Sequence, residues 1–202
     1  DYCGVLPEQL PALVEPCTVL EKLLPQARKT LNFPEKTTVN VGTLDHFAGM
    51  IGTGNIREGI ISESTGTVLS IATMVNRPLF SKSKIPLHCG PFRDSYILLP
   101  VCESGGISLE WFKNNFFENV PYSEIDKVAM QRKSDRQLTF LPYLTGISAP
   151  DFNEYASGVF FGIKATHDRY DFALAIMEGV SCLLRKNIDY IKSSGINVER
   201  II

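Results

Sequence analysis

Residues 36–41 read Lys-Thr-Thr-Val-Asn-Val, with β-branched side chains alternating at period two, which predicts a strand ending at Gly42. The following segment, TLDHFAGMIGTG over residues 43–54, spaces Phe47, Met50 and Ile51 as on a helix and puts Asp45 at its N-cap. Residues 60–64 and 68–74 are β-rich runs separated by Thr65-Gly66-Thr67, which predicts a hairpin. Residues 96–101 form a further expected strand, and Gly105-Gly106 opens a helix carrying Leu109, Phe112, Phe116 and Phe117. A helix is expected over 123–132, short strands over 138–144 and 159–164, and a loop over 145–155. The last helix, about 169–194, lines up Ala173, Ile176, Met177, Val180, Leu184, Ile188 and Ile191 on one face and stops at Gly195. Residues 1–35, rich in Pro and Leu with one helix near 18–31, read as a connecting segment. Helices alternating with strands, with a hairpin inside the order, predict an α/β domain with a mixed sheet.

Composition bounds this picture. A chain of 202 residues with 44% hydrophobic content can bury a core of its own. Its 20 basic and 22 acidic residues leave a net charge of −2, so no field favours nucleic acid or an anionic membrane, and neither is expected as a partner. No apolar run approaches the roughly 18–20 residues that span a bilayer. The cysteines, Cys3, Cys17, Cys89, Cys102 and Cys182, have no zinc-ligand spacing and read as reduced thiols of a cytoplasmic protein, with no metal ligand among them. Phe116 and Phe117 fit either a core or an interface, which leaves a homodimer open.

Candidate chemistry begins at Asp45, a carboxylate between a strand end and a helix start, where open α/β sheets bind ligands. The same position equally suits a cap that only satisfies helix amides. Ser64-Thr65-Gly66-Thr67 combines hydroxyls with a glycine that lets amides approach a phosphate, although β-turns use the same residues. Gly106 opens a helix N-terminus, which favours an anion.

The stretch GVFFGIKATHDRYDFALAIME, residues 158–178, reads Gly-x-Phe-x-Gly-Ile, seven residues, then Asp-Phe-x-x-Ala-Ile-Met-Glu. It resembles the C-terminal signature of the FGGY carbohydrate kinases. Residues 43–54 resemble that family's segment bearing the catalytic aspartate, Thr65-Gly66-Thr67 its phosphate turn, and Gly106 to Trp111 its nucleotide-side helix. Residues 141–150, LPYLTGISAP, resemble its Pro-Tyr-Leu-x-Gly-x-x-x-Pro loop, with Ile147-Ser148 where many members carry Glu-Arg. Cys17 stands where the family usually has glycine.

The resemblance implies a ribonuclease-H-like domain of the actin-like ATPase superfamily, its mixed sheet flanked by helices. It implies ATP-dependent phosphorylation of a sugar or polyol hydroxyl, with Asp45 as catalytic base and Asp45 and His46 touching the substrate. ATP would be held by Thr65, Gly66, Thr67, Gly106, Glu110 and Gly146, and Mg²⁺ mainly by residues of an N-terminal domain. Residues 36–202 then correspond to the C-terminal domain up to its adenosine-binding glycine loop, with residues 1–35 leading in from the N-terminal domain. Alone, such a chain is expected to be inactive. The competing expectation is a non-catalytic nucleotide-binding module, or pseudokinase, of the same superfamily, which would need the turn but not the acid at position 45.

Overall fold

In the computed structural model, which describes residues 4–80, 84–133 and 137–202, β4 (Leu69–Val75) is the centre of the domain. All seven of its residues are buried, as its apolar sequence and position between layers require. It pairs antiparallel with β3 (Ile60–Thr65) on one side and with β6 (Tyr96–Leu98) and β7 (Val101–Cys102) on the other. β5 (Leu87–Cys89) extends the sheet beyond β6, and β10 (Arg200–Ile201) lies parallel to β3 at the opposite edge. The order β10-β3-β4-β6-β5, with a parallel edge on an antiparallel body, is the expected mixed sheet.

Alternation along β4 sends its side chains to two different helices. Ile71 and Val75, with Ile61 and Leu98, meet Ile188 and Ile191 of α5 (Arg169–Ser193). Ala72 and Met74, with Ile97, meet Phe47 and Met50 of α2 (Asp45–Gly52). Each such isoleucine contributes about 1.5–3 kcal/mol by leaving water. A second core joins Phe112 of α3 (Ile107–Phe116), Ile125 of α4 (Tyr122–Met130) and Phe140 of β8 (Thr139–Leu141) to Ala173 and Ile176 of α5. β8 pairs antiparallel with β9 (Val159–Phe161).

Several local expectations change. Residues 18–31 form β1 (Val19–Lys22) and a short α1 (Pro25–Leu31) rather than one helix. Pro25 is the first helical residue, where its missing N–H costs nothing, and Leu24 before it is extended, so the helix cannot continue backwards. β1 instead pairs antiparallel with β2 (Thr38–Asn40), the core of the strand expected at 36–41. The strand expected over 96–101 is broken at Leu99-Pro100 because Pro100 has no N–H for the ladder, although its carbonyl still accepts from Ile71. On α5, Ala173, Ile176, Ile188 and Ile191 are buried as expected, but the buried face also takes in Ala175, Gly179, Leu183 and Asn187, leaving Met177, Val180 and Leu184 half-buried. Cys17 has φ +65°, a conformation that glycine adopts without strain. Cys17, Cys89, Cys102 and Cys182 are unpaired, while Cys3 lies outside the described residues.

Candidate active site

Asp45 is the first residue of α2, not its cap: Leu44 holds that place with extended dihedrals and offers no side-chain hydrogen bond. The Asp45 carboxylate accepts the His46 backbone N–H at 2.7 Å and is exposed. It stands on a cleft of about 360 Å³ lined also by His46, Gly49, Thr53, Ser62, Glu63 and Ser64. Gly49 and Thr53 follow Asp45 at four-residue spacing, so one helix face forms one wall and β3 the other. An added Cβ at Gly49 would meet nothing within 4 Å, so this glycine leaves open the space beside the carboxylate.

β3 connects this cleft to the predicted phosphate turn, since Ser62 to Ser64 line the cleft and Thr65 ends the strand. Thr65 pairs with Leu69 across the hairpin, and the Gly66 N–H donates to the Val68 carbonyl at 2.9 Å. The Thr65 hydroxyl is taken by the Glu63 carboxylate. Thr67 is exposed, and its hydroxyl has no partner among the described residues.

The turn rests on the start of α3. Gly106 N–H donates to the Gly66 carbonyl at 2.8 Å, and Ile107 N–H to the Thr67 carbonyl at 3.1 Å. An added Cβ at Gly105 would lie 2.5 Å from the Leu69 nitrogen, and one at Gly106 would lie 2.4 Å from the Gly66 oxygen. Only glycines permit that approach. These contacts occupy helix-start amides that a free N-terminus would offer to an anion, so α3 supports the turn more than it presents bare donors. Glu110 is exposed one turn further on, close enough to Tyr122 to reinforce the upward shift of that phenol, which desolvation mainly causes.

Gly146 has φ +91°, and its N–H donates to the Tyr143 carbonyl at 3.2 Å. Paired backbone hydrogen bonds between Ile147 and Asn153, at 2.9 and 2.8 Å, close the loop behind it. The Ser148 hydroxyl donates to Glu103 at 2.8 Å, and Ser104 meets Thr145, so the loop is fastened just before the Gly105-Gly106 pair. The structure therefore joins Thr65, Gly66, Thr67, Gly106 and the Gly146 loop by direct contacts, and reaches Asp45 and His46 through β3. Sequence reading singled out neither Glu63 nor the Glu103-Ser104 pair. Glu63 could have been found from strand alternation, which puts it on the same face as Thr65.

A larger cavity, about 780 Å³, lies between β8 and α5 and is lined by Leu141, Met177, Gly179, Cys182 and Lys186 among others. Its walls are mostly apolar, and Lys186, the cation among its described lining residues, is paired with Asp151, so polar groups converge on the smaller cleft instead. Among the described residues no three His, Cys, Asp or Glu side chains could hold a metal ion together, and no helix is long and apolar enough to cross a membrane.

Residues 62–202 match the model of the FGGY family of carbohydrate kinases, C-terminal domain. A xylulose kinase of Bacillus subtilis is 29% identical over 209 residues, covering 100% of this chain and 42% of that protein. A gluconokinase of the same organism is 27% identical over 190 residues, covering 88% and 37%. The structure of ligand-bound xylulose kinase from Lactobacillus acidophilus superposes with a TM-score of 0.80 at 27% identity, over 89% of this chain and 37% of that one. The chain thus spans about two fifths of the length of the curated relatives it matches. Asp45 and His46 precede the matched family segment but fall inside the alignment that covers the whole chain. With the sheet order, the docked glycine pair and the signature at 158–178 all in place, the chain belongs to the FGGY family of carbohydrate kinases.

Proposed function

We propose that this chain forms the C-terminal part of an ATP-dependent kinase that phosphorylates a hydroxyl of a sugar or polyol. The observation that carries this reading is the continuity of β3, which links a cleft bearing an exposed carboxylate to a glycine turn docked on a helix start. Asp45 accepts the proton of the substrate hydroxyl as that oxygen attacks the γ-phosphorus of ATP, and ADP leaves. A loose phosphoryl-transfer transition state asks mainly for positioning and late proton acceptance, which a carboxylate held at the reacting hydroxyl provides. His46, beside it on the cleft, contacts the substrate.

Thr67 offers its hydroxyl to the phosphates, with Thr65 and Gly66 shaping the turn and Gly106, Glu110 and Gly146 forming the nucleotide wall. Mg²⁺ supplies charge neutralisation at the phosphates when bound. The family resemblance assigns its protein ligands mainly to an N-terminal domain. Residues 36–202 belong to the C-terminal domain and 1–35 lead into it, with β1 lying against β2 across that boundary. A small-molecule substrate and a cytoplasmic setting follow from the same reading.

The test is sugar-dependent ADP release by the full-length protein across a panel of ketopentoses, gluconate and glycerol. Release with one of them supports the reading. ATP binding without turnover on any sugar would favour the pseudokinase instead.

A further inference from the structure

Ser104 is 1% exposed, yet its side chain is polar, and a hydroxyl buried without partners costs about 1–3 kcal/mol. Its oxygen lies 3.2 Å from the Thr145 hydroxyl and 3.4 Å from the Thr145 backbone nitrogen, whose N–H donates to it. With that amide pointing at the oxygen, the Ser104 proton is free to turn to the Thr145 hydroxyl. The Ser104 carbonyl meanwhile accepts from the hydroxyl of Ser108, the second residue of α3, at 3.2 Å, and Ser108 is fully buried. Ser104 therefore grips the start of α3 with its backbone and the loop at 145–148 with its side chain.

Two residues later Gly106 donates to the Gly66 carbonyl, so a line of contacts runs from Thr145 through Ser104 and Gly106 to the phosphate turn. The outer link between Ser148 and Glu103 is exposed and replaceable by water, whereas the Ser104 link is part-buried, with the Ser104 end almost wholly out of water.

We infer that Ser104 is a positioning residue for the nucleotide: through Thr145 it locks the Gly146 loop to the α3 start, so that both walls meet ATP in one fixed arrangement. It touches no reacting atom. The inference rests on the reading that ATP binds at these segments, and its action falls on nucleotide affinity because Ser104 bonds to Thr145 and Ser108 and to none of the residues that line the Asp45 cleft.

The experiment uses the full-length protein and measures ATP binding at equilibrium by calorimetry, with KM for ATP, KM for sugar and kcat alongside. Ser104→Ala and Thr145→Val should each weaken ATP binding by about 3- to 10-fold, the worth of one hydrogen bond. Thr145→Ser, which keeps the hydroxyl at an exposed position, should restore wild-type binding. The double variant should be no weaker than Ser104→Ala, which already removes the hydroxyl contact that Thr145→Val removes together with the Thr145 amide contact. Sugar KM and kcat should stay within about twofold. Unchanged ATP affinity in both single variants would overturn the assignment, as would equal losses in ATP affinity, sugar KM and kcat accompanied by a lower Tm, which mark a merely structural serine. A wild-type protein that binds ATP but phosphorylates no sugar would sink the kinase reading and leave the Ser104 test intact. One that binds no ATP would sink both.

Discussion

The Gly106 N–H donates to the Gly66 carbonyl at 2.8 Å, and a Cβ on Gly106 would sit 2.4 Å from that same oxygen. Because Gly106 has ordinary right-handed dihedrals, alanine there is strained only by this clash, not by its backbone. Gly106→Ala should push the turn away from α3 and cost about 1–3 kcal/mol of the nucleotide-bound arrangement. ATP affinity of the full-length protein is expected to fall by about tenfold with little change in sugar KM. Calorimetric titration with ATP checks this, and unaltered affinity would show that the docking is dispensable.

Gly179 makes the equivalent approach inside the core, where a Cβ would lie 2.4 Å from the Phe140 carbonyl oxygen. Alanine has the better helix propensity by about 1 kcal/mol, so propensity alone predicts stabilisation. The clash with β8 should win, since backbone has no cheap way to give. Gly179→Ala is expected to lower stability by about 1–2 kcal/mol in chemical denaturation of the purified chain.

Cys17 offers a gain by the opposite route. Its φ of +65° costs a side-chain-bearing residue about 1–2 kcal/mol, more than the extra unfolded-state entropy of glycine. Cys17→Gly should therefore raise stability by about 0.5 kcal/mol, read as a higher denaturation midpoint with an unchanged slope.

What was legible in the sequence depended on whether a segment's structure is decided locally. The β3–β4 hairpin, α3 and α5 carry their own period, turn residues and stop signals, and they stand where those signals put them. β1 was misread because Val19 to Lys22 is equally apolar as helix or strand, and only its pairing with β2 decides. Asp45 was read as a cap because an acid before an apolar run suits one, but Leu44 had already taken the extended conformation of that position. The Ser104 link was invisible because its partner, Thr145, lies 41 residues away. The resemblance carried the assignment of site residues, while the docking of turn on helix emerged only from the fold.

The start of α5 gives a pH prediction. Asp168 accepts the amides of Tyr170 and Asp171 and pairs with Arg132 at 2.7 Å, while Arg132 also reaches Asp171 at 2.9 Å. Partial burial works to raise the Asp168 carboxyl, but the amide and the guanidinium outweigh it and hold it below its ordinary value of 3.8. A carboxylate depressed in the folded state binds its proton more readily when unfolded, so its contribution is present above that ordinary value and lost as pH falls through the folded one. Asp168→Asn, which keeps a cap acceptor but not the charge, should be less stable than wild type near pH 7. That difference should narrow as thermal melts are taken below pH 3.8.

The central claim is that Asp45 is the base of phosphoryl transfer. The most direct measurement is Asp45→Asn in the full-length protein, with kcat and ATP affinity determined side by side. The substitution keeps the shape and the helix start, so the protein should fold and bind ATP as before. We predict a fall in kcat of about 10²- to 10⁴-fold with ATP affinity unchanged. A kcat within a few-fold of wild type would contradict the account and remove Asp45 from the mechanism.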